Sequence, residues 1–171
     1  MNDAPQQSPI ERFGWFDTWL ARGAEPSPAG LRWLKSQGVG IIVNLREHDG
    51  RRDAESAGLR YVHIPVKDDA PPETSQLVEW LALCKRVQHS QAIFVHCHGG
   101  EGRTSVFCAA VRIAQGADAE TAICEQLPYG FRPQGEHAAQ SEFLYAFARD
   151  ARSGRLQITR LTGVSSAAVR R

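Results

Sequence analysis

Residues 92–114 limit the possible folds more than any other stretch. Ala92-Ile93-Phe94-Val95 is a short, continuous apolar run of the kind that forms a buried strand. It passes without a linker into His96-Cys97-His98-Gly99-Gly100-Glu101-Gly102-Arg103-Thr104-Ser105, and then into Val106–Ala114, which is apolar nearly all round. A helix with no polar face belongs in the middle of a fold. The chain must therefore bury both a strand and the helix after it, with a glycine-rich bend between them.

The rest of the sequence supplies the layers. Phe13–Ala21 reads as one or two short strands rich in aromatics, and Ser27-Pro28 as a helix start, a capping hydroxyl followed by proline at the first helical position. Leu31, Trp33 and Leu34 give that helix an apolar side, and Gly38 ends it. Ile41–Leu45 is a second buried strand, Asp49–Ala57 a short charged helix closed by Gly58, and Tyr61–Val66 a further strand. Pro65 puts the end of that strand near an edge or a turn. The paired prolines of Lys67-Asp68-Asp69-Ala70-Pro71-Pro72 make this stretch a loop. From Thr74 the period is helical, with Leu77, Leu81 and Cys84 on one face and Trp80 and Val87 beside it. Asp118 caps a helix expected over Ala119–Leu127, residues 128–135 form a loop, and Ala138–Ala148 is a last helix with Phe143, Leu144 and Phe147 facing inward. Strands alternating with helices predict an α/β fold with a mostly parallel central sheet covered on both faces. The expected organisation is a polar segment over residues 1–12, a domain over 13–150 and a basic tail over 151–171, frayed and carrying Arg152, Arg155, Arg160, Arg170 and Arg171.

Composition excludes several classes of function. The chain has 171 residues, 42% of them hydrophobic and 23% charged, which suits one domain with a real core. A formal net charge of +1 suggests neither a nucleic acid nor a membrane surface as partner. No stretch approaches the length of a transmembrane helix, and Met1–Pro9 lacks the basic-then-apolar pattern of a secretory signal. Cys84, Cys97, Cys108 and Cys124 are then best read as free thiols in a reducing compartment, the cytoplasm. His96-Cys97-His98 has no second cluster at metal-finger spacing, so no structural metal is expected.

The bend carries the chemistry. Its glycines let successive N–H groups point into one cavity, and the helix N-terminus adds its own unpaired N–H groups and positive dipole end. Such a cradle, formed by His98, Gly99, Gly100, Glu101, Gly102 and Arg103, suits a phosphate dianion, with the Arg103 guanidinium gripping two of its oxygens. Cys97 stands at the other lip, where the same positive field favours thiolate over thiol. A thiolate facing phosphorus can displace an alcohol and form a phosphocysteine. Five residues separate Cys97 from Arg103, enough to wrap once around a phosphate. His96 can orient the loop by hydrogen bonds, and the Thr104 hydroxyl can stabilise the sulfur when it leaves. The leaving oxygen needs a proton, and Asp68 and Asp69 on the proline-flanked loop are the candidate donors. The plainer alternatives are a buried strand-end cysteine beside a glycine turn, and a solvated acidic turn.

With those residues in view, His96–Thr104 resembles the signature loop of the protein tyrosine phosphatase superfamily, and the chain is similar to its compact dual-specificity branch. Arg22-Gly23-Ala24-Glu25-Pro26 resembles that branch's Arg-x-Ala-x-Pro segment, and Ile41–Arg46 its Val-x-Asn-Leu-Arg strand end. Pro65–Pro72 is similar to the acid loops of regenerating-liver and phosphatase-and-tensin-homologue enzymes, where the acid lies three residues after the first proline; this singles out Asp68 over Asp69. Gln140 falls where the family often has a glutamine at the site rim. Low-molecular-weight phosphatases, which carry the loop near the N-terminus, and rhodanese-like ones, which lack the upstream acid loop, fit less well. The resemblance spans about residues 13–148 and implies four or five strands, no metal or organic cofactor, and a shallow site acting on phosphorylated proteins or peptides. Phosphoinositide-directed relatives have lysines where this loop has His98 and Glu101, and Glu101 would repel a highly anionic inositol head. A phosphoinositide or other small-molecule phosphatase, and a phosphate-binding module without turnover, are the competing readings.

Overall fold

A computed structural model describes residues 7–163. Residues 1–6 of the polar segment and 164–171 of the basic tail, including Arg170 and Arg171, lie outside the described residues. Five strands form one sheet: β1 (Gly14–Trp15), β2 (Leu20–Gly23), β3 (Val39–Asn44), β4 (Arg60–His63) and β5 (Ala92–His96), in the order β1-β2-β5-β3-β4. All pairings are parallel except that of β1 with β2. The helices are α1 (Pro28–Ser36), α2 (Arg51–Ser56), α3 (Thr74–Val87), α4 (Gly102–Ala114), α5 (Ala119–Cys124) and α6 (Ala138–Ser153), with a 3₁₀ turn over Leu127–Tyr129.

The two-residue alternation of a strand sorts the core into two layers. Ile41, Val43, Ile93 and Val95 point toward α3, α4, α5 and α6, where Trp80, Leu81, Phe107, Val111 and Leu144 pack. Ile42 and Phe94 point the other way, against Leu31 and Leu34 of α1 and Ala54 of α2. Strand β5 is thus covered on both faces and flanked by β2 and β3, so the loop leaving its carboxyl end starts from the most constrained place in the sheet. Local caps hold the surrounding helices. The Ser27 hydroxyl accepts the Gly30 N–H at 3.1 Å, and Glu73 and Gln76 form a reciprocal capping box at the start of α3.

Four boundaries differ from the sequence expectation. Strand β4 stops at His63, because Pro65 interrupts the ladder; Ile64 and Val66 still donate to Asn44 and Leu45, at 3.0 Å each, and carry the chain along the sheet to the acid loop. Helix α4 begins at Gly102, so Arg103 and Thr104 occupy its first turn. The helix expected through Leu127 ends at Cys124, and the chain tightens into the 3₁₀ turn around Pro128. Helix α6 crosses residue 150 and ends at Ser153; beyond it Leu161 is buried and donates its N–H to Ala114 O at 3.1 Å. The first part of the basic segment therefore packs on the domain, with Leu156 and Ile158 against the core.

Candidate active site

The loop between β5 and α4 is held by its neighbours in the sheet. Leu45, just after β3, donates to His96 O, and Glu25, just after β2, donates to His98 O, both at 2.9 Å. Gly100 has φ +77°, and a Cβ there would lie 2.6 Å from the Gly23 backbone, so only glycine fits. A Cβ at Gly102 would meet Gln140 Oε1 and His137 Cδ2 at 2.8 Å, so glycine there admits α6 and the loop before it to the loop's flank.

Cys97 is buried at the floor of a cleft of about 190 Å³ that Asp68, Asp69, His98, Glu101, Arg103 and Gln140 also line. Its Sγ accepts the Gly100 N–H at 3.3 Å and the Thr104 hydroxyl at 3.0 Å. Both donors are placed to hydrogen-bond an anionic sulfur. The His96 Nδ1–H donates to Cys97 O at 3.0 Å while its ring stacks on Phe94. Burial pushes the His96 pKa down to about 4, so a neutral imidazole supports the loop at neutral pH.

Arg103 is almost fully buried. It donates to Val66 O at 3.0 Å and forms an ion pair with Asp68 at 2.7 Å. The Asp68 side chain is largely exposed, so one carboxylate oxygen reaches from the cleft mouth to a guanidinium inside it. Asp69 follows with φ +56° and donates its N–H to Asp68 Oδ1 at 3.2 Å; it shapes the turn that presents Asp68 and makes no ion pair among the described residues. Gln140 lies buried beneath this loop, its Nε2 donating to Ala70 O at 3.1 Å and its Oε1 without a partner among the described residues. His98 points outward at the rim, 3.5 Å from Glu25, whose own partner is Arg46. Burial opposes the charge on Glu25, but the hydrogen bond and charge of Arg46 outweigh it and hold the carboxyl below its ordinary pKa.

The cleft therefore brings together Cys97, Arg103, Thr104, Asp68, Asp69 and Gln140, with His96 behind. It also recruits groups that the sequence did not single out. Glu101 is paired with Arg12 at 2.7 Å, which blunts the repulsion expected from its charge, and Arg12 also donates to Gly99 O at 3.1 Å. His137 stacks on Phe131 and accepts the Arg132 N–H on Nδ1 at 2.9 Å. Its ligating atom lies within 4.8 Å of those of Glu101 and Glu136, a grouping that could in principle hold a metal. Acceptance on Nδ1, however, leaves the proton on Nε2, so His137 faces the cleft as a hydrogen-bond donor and not as a ligand. Arg22 lies behind the loop; the sequence marks it as the arginine of the Arg-x-Ala-x-Pro segment and as a charge inside a strand, but gives it no part in the site.

The family model described as DSP-PTPase phosphatase fused to NAD+ kinase matches residues 15–158. Dual specificity protein phosphatase TpbA of Pseudomonas aeruginosa is 26% identical over 126 residues, covering 73% of this chain and 57% of that protein. Protein tyrosine phosphatase type IVA 3 of Mus musculus is 33% identical over 95 residues, covering 53% of this chain and 54% of that protein. The chain thus spans little more than half the length of these curated relatives. Among solved structures, P. aeruginosa TpbA superposes with TM-score 0.68 at 19% identity, covering 85% of this chain and 98% of that one. The core catalytic domain of the PP-IP phosphatase SIW14 from S. cerevisiae gives 0.69 at 16% identity, covering 86% and 94%. Both share the fold.

Proposed function

The chain belongs to the DSP-PTPase family, the compact dual-specificity type of the protein tyrosine phosphatase superfamily, and from that premise we propose that it hydrolyses phosphate monoesters through a phosphocysteine on Cys97. The observation that carries the reading is convergence: a buried sulfur with two hydrogen-bond donors, a buried guanidinium and a carboxyl group share one cleft. Substrate phosphate enters over the loop N–H groups and takes the Arg103 donor now held by Asp68. The Cys97 thiolate attacks phosphorus, the P–O ester bond breaks, and protonated Asp68 gives its proton to the leaving oxygen. Asp68, now a carboxylate, accepts a proton from water as that water attacks phosphorus; the S–P bond breaks and the Thr104 hydroxyl stabilises the departing thiolate. Gln140 supports the Asp68 loop through Ala70 O.

Phosphotyrosyl, phosphoseryl and phosphothreonyl groups on proteins are the substrates this reading favours, because the cleft is small and open at its mouth. A cytoplasmic setting suits a thiol that must stay reduced. Among the described residues no helix is long and apolar enough to cross a membrane. One observation favours a second reading, a phosphorylated nucleotide: the matching family model describes a phosphatase fused to NAD+ kinase. Hydrolysis of phosphotyrosyl and phosphoseryl peptides, an inositol polyphosphate and a nicotinamide dinucleotide phosphate, measured side by side as kcat/KM, separates these substrates. Comparable rates on the two peptides support the first reading, and a strict preference for either small molecule overturns it.

A further inference from the structure

Arg22, in the middle of β2, is fully buried. Its Nη1 donates to Gln126 Oε1 at 2.6 Å and to Ser105 Oγ at 3.2 Å. Its Nη2 donates to Ser105 Oγ at 3.3 Å and to the Gly100 carbonyl, and the guanidinium lies 4.0 Å over the Tyr129 ring. Nε has no partner. Every one of these hydrogen-bond partners is neutral. A buried cation without a counter-ion is costly, and a hydrogen-bond hub between Ser105, Gln126 and Gly100 does not itself require a full charge. Arg103, the other buried arginine of the site, has its carboxylate in Asp68.

Negative charge is available to Arg22 from one place in the reaction, the sulfur of Cys97 and the phosphate it receives. The link to it is short. Arg22 holds the carbonyl of Gly100, and the N–H of the same residue donates to Cys97 Sγ. Holding that carbonyl toward β2 keeps its negative end out of the phosphate cradle, where it would repel the ligand.

We propose that Arg22 is the positioning residue at the back of the loop, its charge balancing the Cys97 thiolate and the bound phosphate while its hydrogen bond fixes the Gly100 peptide. The proposal rests on Cys97 being the nucleophile. The other titratable groups lining the cleft with the sulfur are Asp68 and Asp69 on the acid loop, His98 and Glu101 on the loop itself, Arg103 on α4, and Glu136 and His137 just before α6; behind the loop lie Cys108 on α4, His96 on β5 and Tyr129 on the 3₁₀ turn. Burial pushes the Cys108 pKa up to about 11 and keeps His96 neutral, so neither supplies a competing charge at neutral pH. Burial lowers the Arg22 pKa, while Cys108, Tyr129 and Cys97 each act to raise it.

The test is the pH dependence of Cys97 alkylation by iodoacetamide, read on the Cys97 peptide by mass spectrometry, for wild type, Arg22→Gln and Arg22→Lys. Arg22→Gln should move the alkylation midpoint up by about one pH unit or more, and the acid limb of kcat/KM for an aryl phosphate should move with it. Arg22→Lys, which keeps the charge, should stay closer to wild type. A folded Arg22→Gln protein with the wild-type midpoint overturns the proposal. If the glutamine variant does not fold, ¹⁵N NMR of the wild-type arginine side chains decides: the Arg22 signals must shift when Cys97 is alkylated, and unchanged signals overturn the proposal. Wild-type Cys97 no more reactive than the exposed Cys124 would instead reject the nucleophile itself.

Discussion

The two sides of the phosphate loop are held by opposite means. Behind it, Arg22 and His96 are buried and hydrogen-bonded to the loop carbonyls of Gly100 and Cys97, and buried Ser105 accepts from Arg22. At the mouth, Asp68, Glu101 and Glu25 are tied by ion pairs to Arg103, Arg12 and Arg46, each carboxylate more exposed than a core residue. Buried hydrogen bonds are costly to break and keep one geometry, whereas exposed ion pairs exchange partners readily. The rear therefore sets the cradle in advance, and in the proposed mechanism the mouth is the side that changes, with Asp68 giving way to phosphate on Arg103.

Five substitutions probe that division, in falling order of effect. Cys97→Ser should abolish hydrolysis of an aryl phosphate while leaving vanadate binding measurable by fluorescence titration, since the cradle and Arg103 remain. Asp68→Asn should lower kcat by about 10²–10⁴-fold, the usual worth of a general acid, with a smaller loss on substrates whose leaving group needs no proton. If Asp69→Asn has the larger effect, the mouth is assigned to the wrong carboxyl.

Gly100→Ala tests the rear through stability. Its positive φ and the 2.6 Å approach to the Gly23 backbone predict a loss of about 1–3 kcal/mol in urea denaturation, and a loop that no longer aligns its N–H groups. His96 gives a pH-dependent counterpart. An unfolded imidazole titrates near 6.5 and the buried one near 4, so on acidification the unfolded chain takes up the proton first. The stability that neutral His96 contributes is complete above about pH 6.5 and lost between there and pH 4, on the order of 3 kcal/mol in all. His96→Gln should be less sensitive than wild type over this interval, and parallel curves would show that His96 is not held neutral. Smallest of all, Glu101→Gln should change kcat/KM for an inositol polyphosphate by no more than about threefold, because Arg12 already offsets the charge.

What could be read from the sequence was what is local in it. The cradle is ten contiguous residues between an apolar strand and an apolar helix, so its glycines, Cys97, Arg103 and Thr104 declare themselves without tertiary information. The acid loop was legible because prolines bracket it, while only the resemblance to related acid loops singled out Asp68 over Asp69. Arg22 stands in the sequence as the first residue of the Arg-x-Ala-x-Pro segment, but its role was not legible, since its partners lie 78, 83 and 104 residues away. The same holds for Arg12, 87 residues from Gly99. His137 becomes a donor to the cleft through the turn that brings Arg132 N–H onto its Nδ1, a geometry that residue types alone do not imply. The tail expected to fray from residue 151 packs instead, for a related reason: Leu156, Ile158 and Leu161 find their apolar partners across the domain, so the segment has no periodicity of its own.

The most direct test of the central claim is a rapid acid quench of wild-type protein turning over an aryl phosphate, followed by mass spectrometry of its peptides. The account predicts phosphate attached to the peptide carrying Cys97, accumulating further in Asp68→Asn with an aryl leaving group that needs no protonation, because loss of the base slows the second step. Turnover without any adduct on Cys97, or with the adduct on another residue, would contradict it.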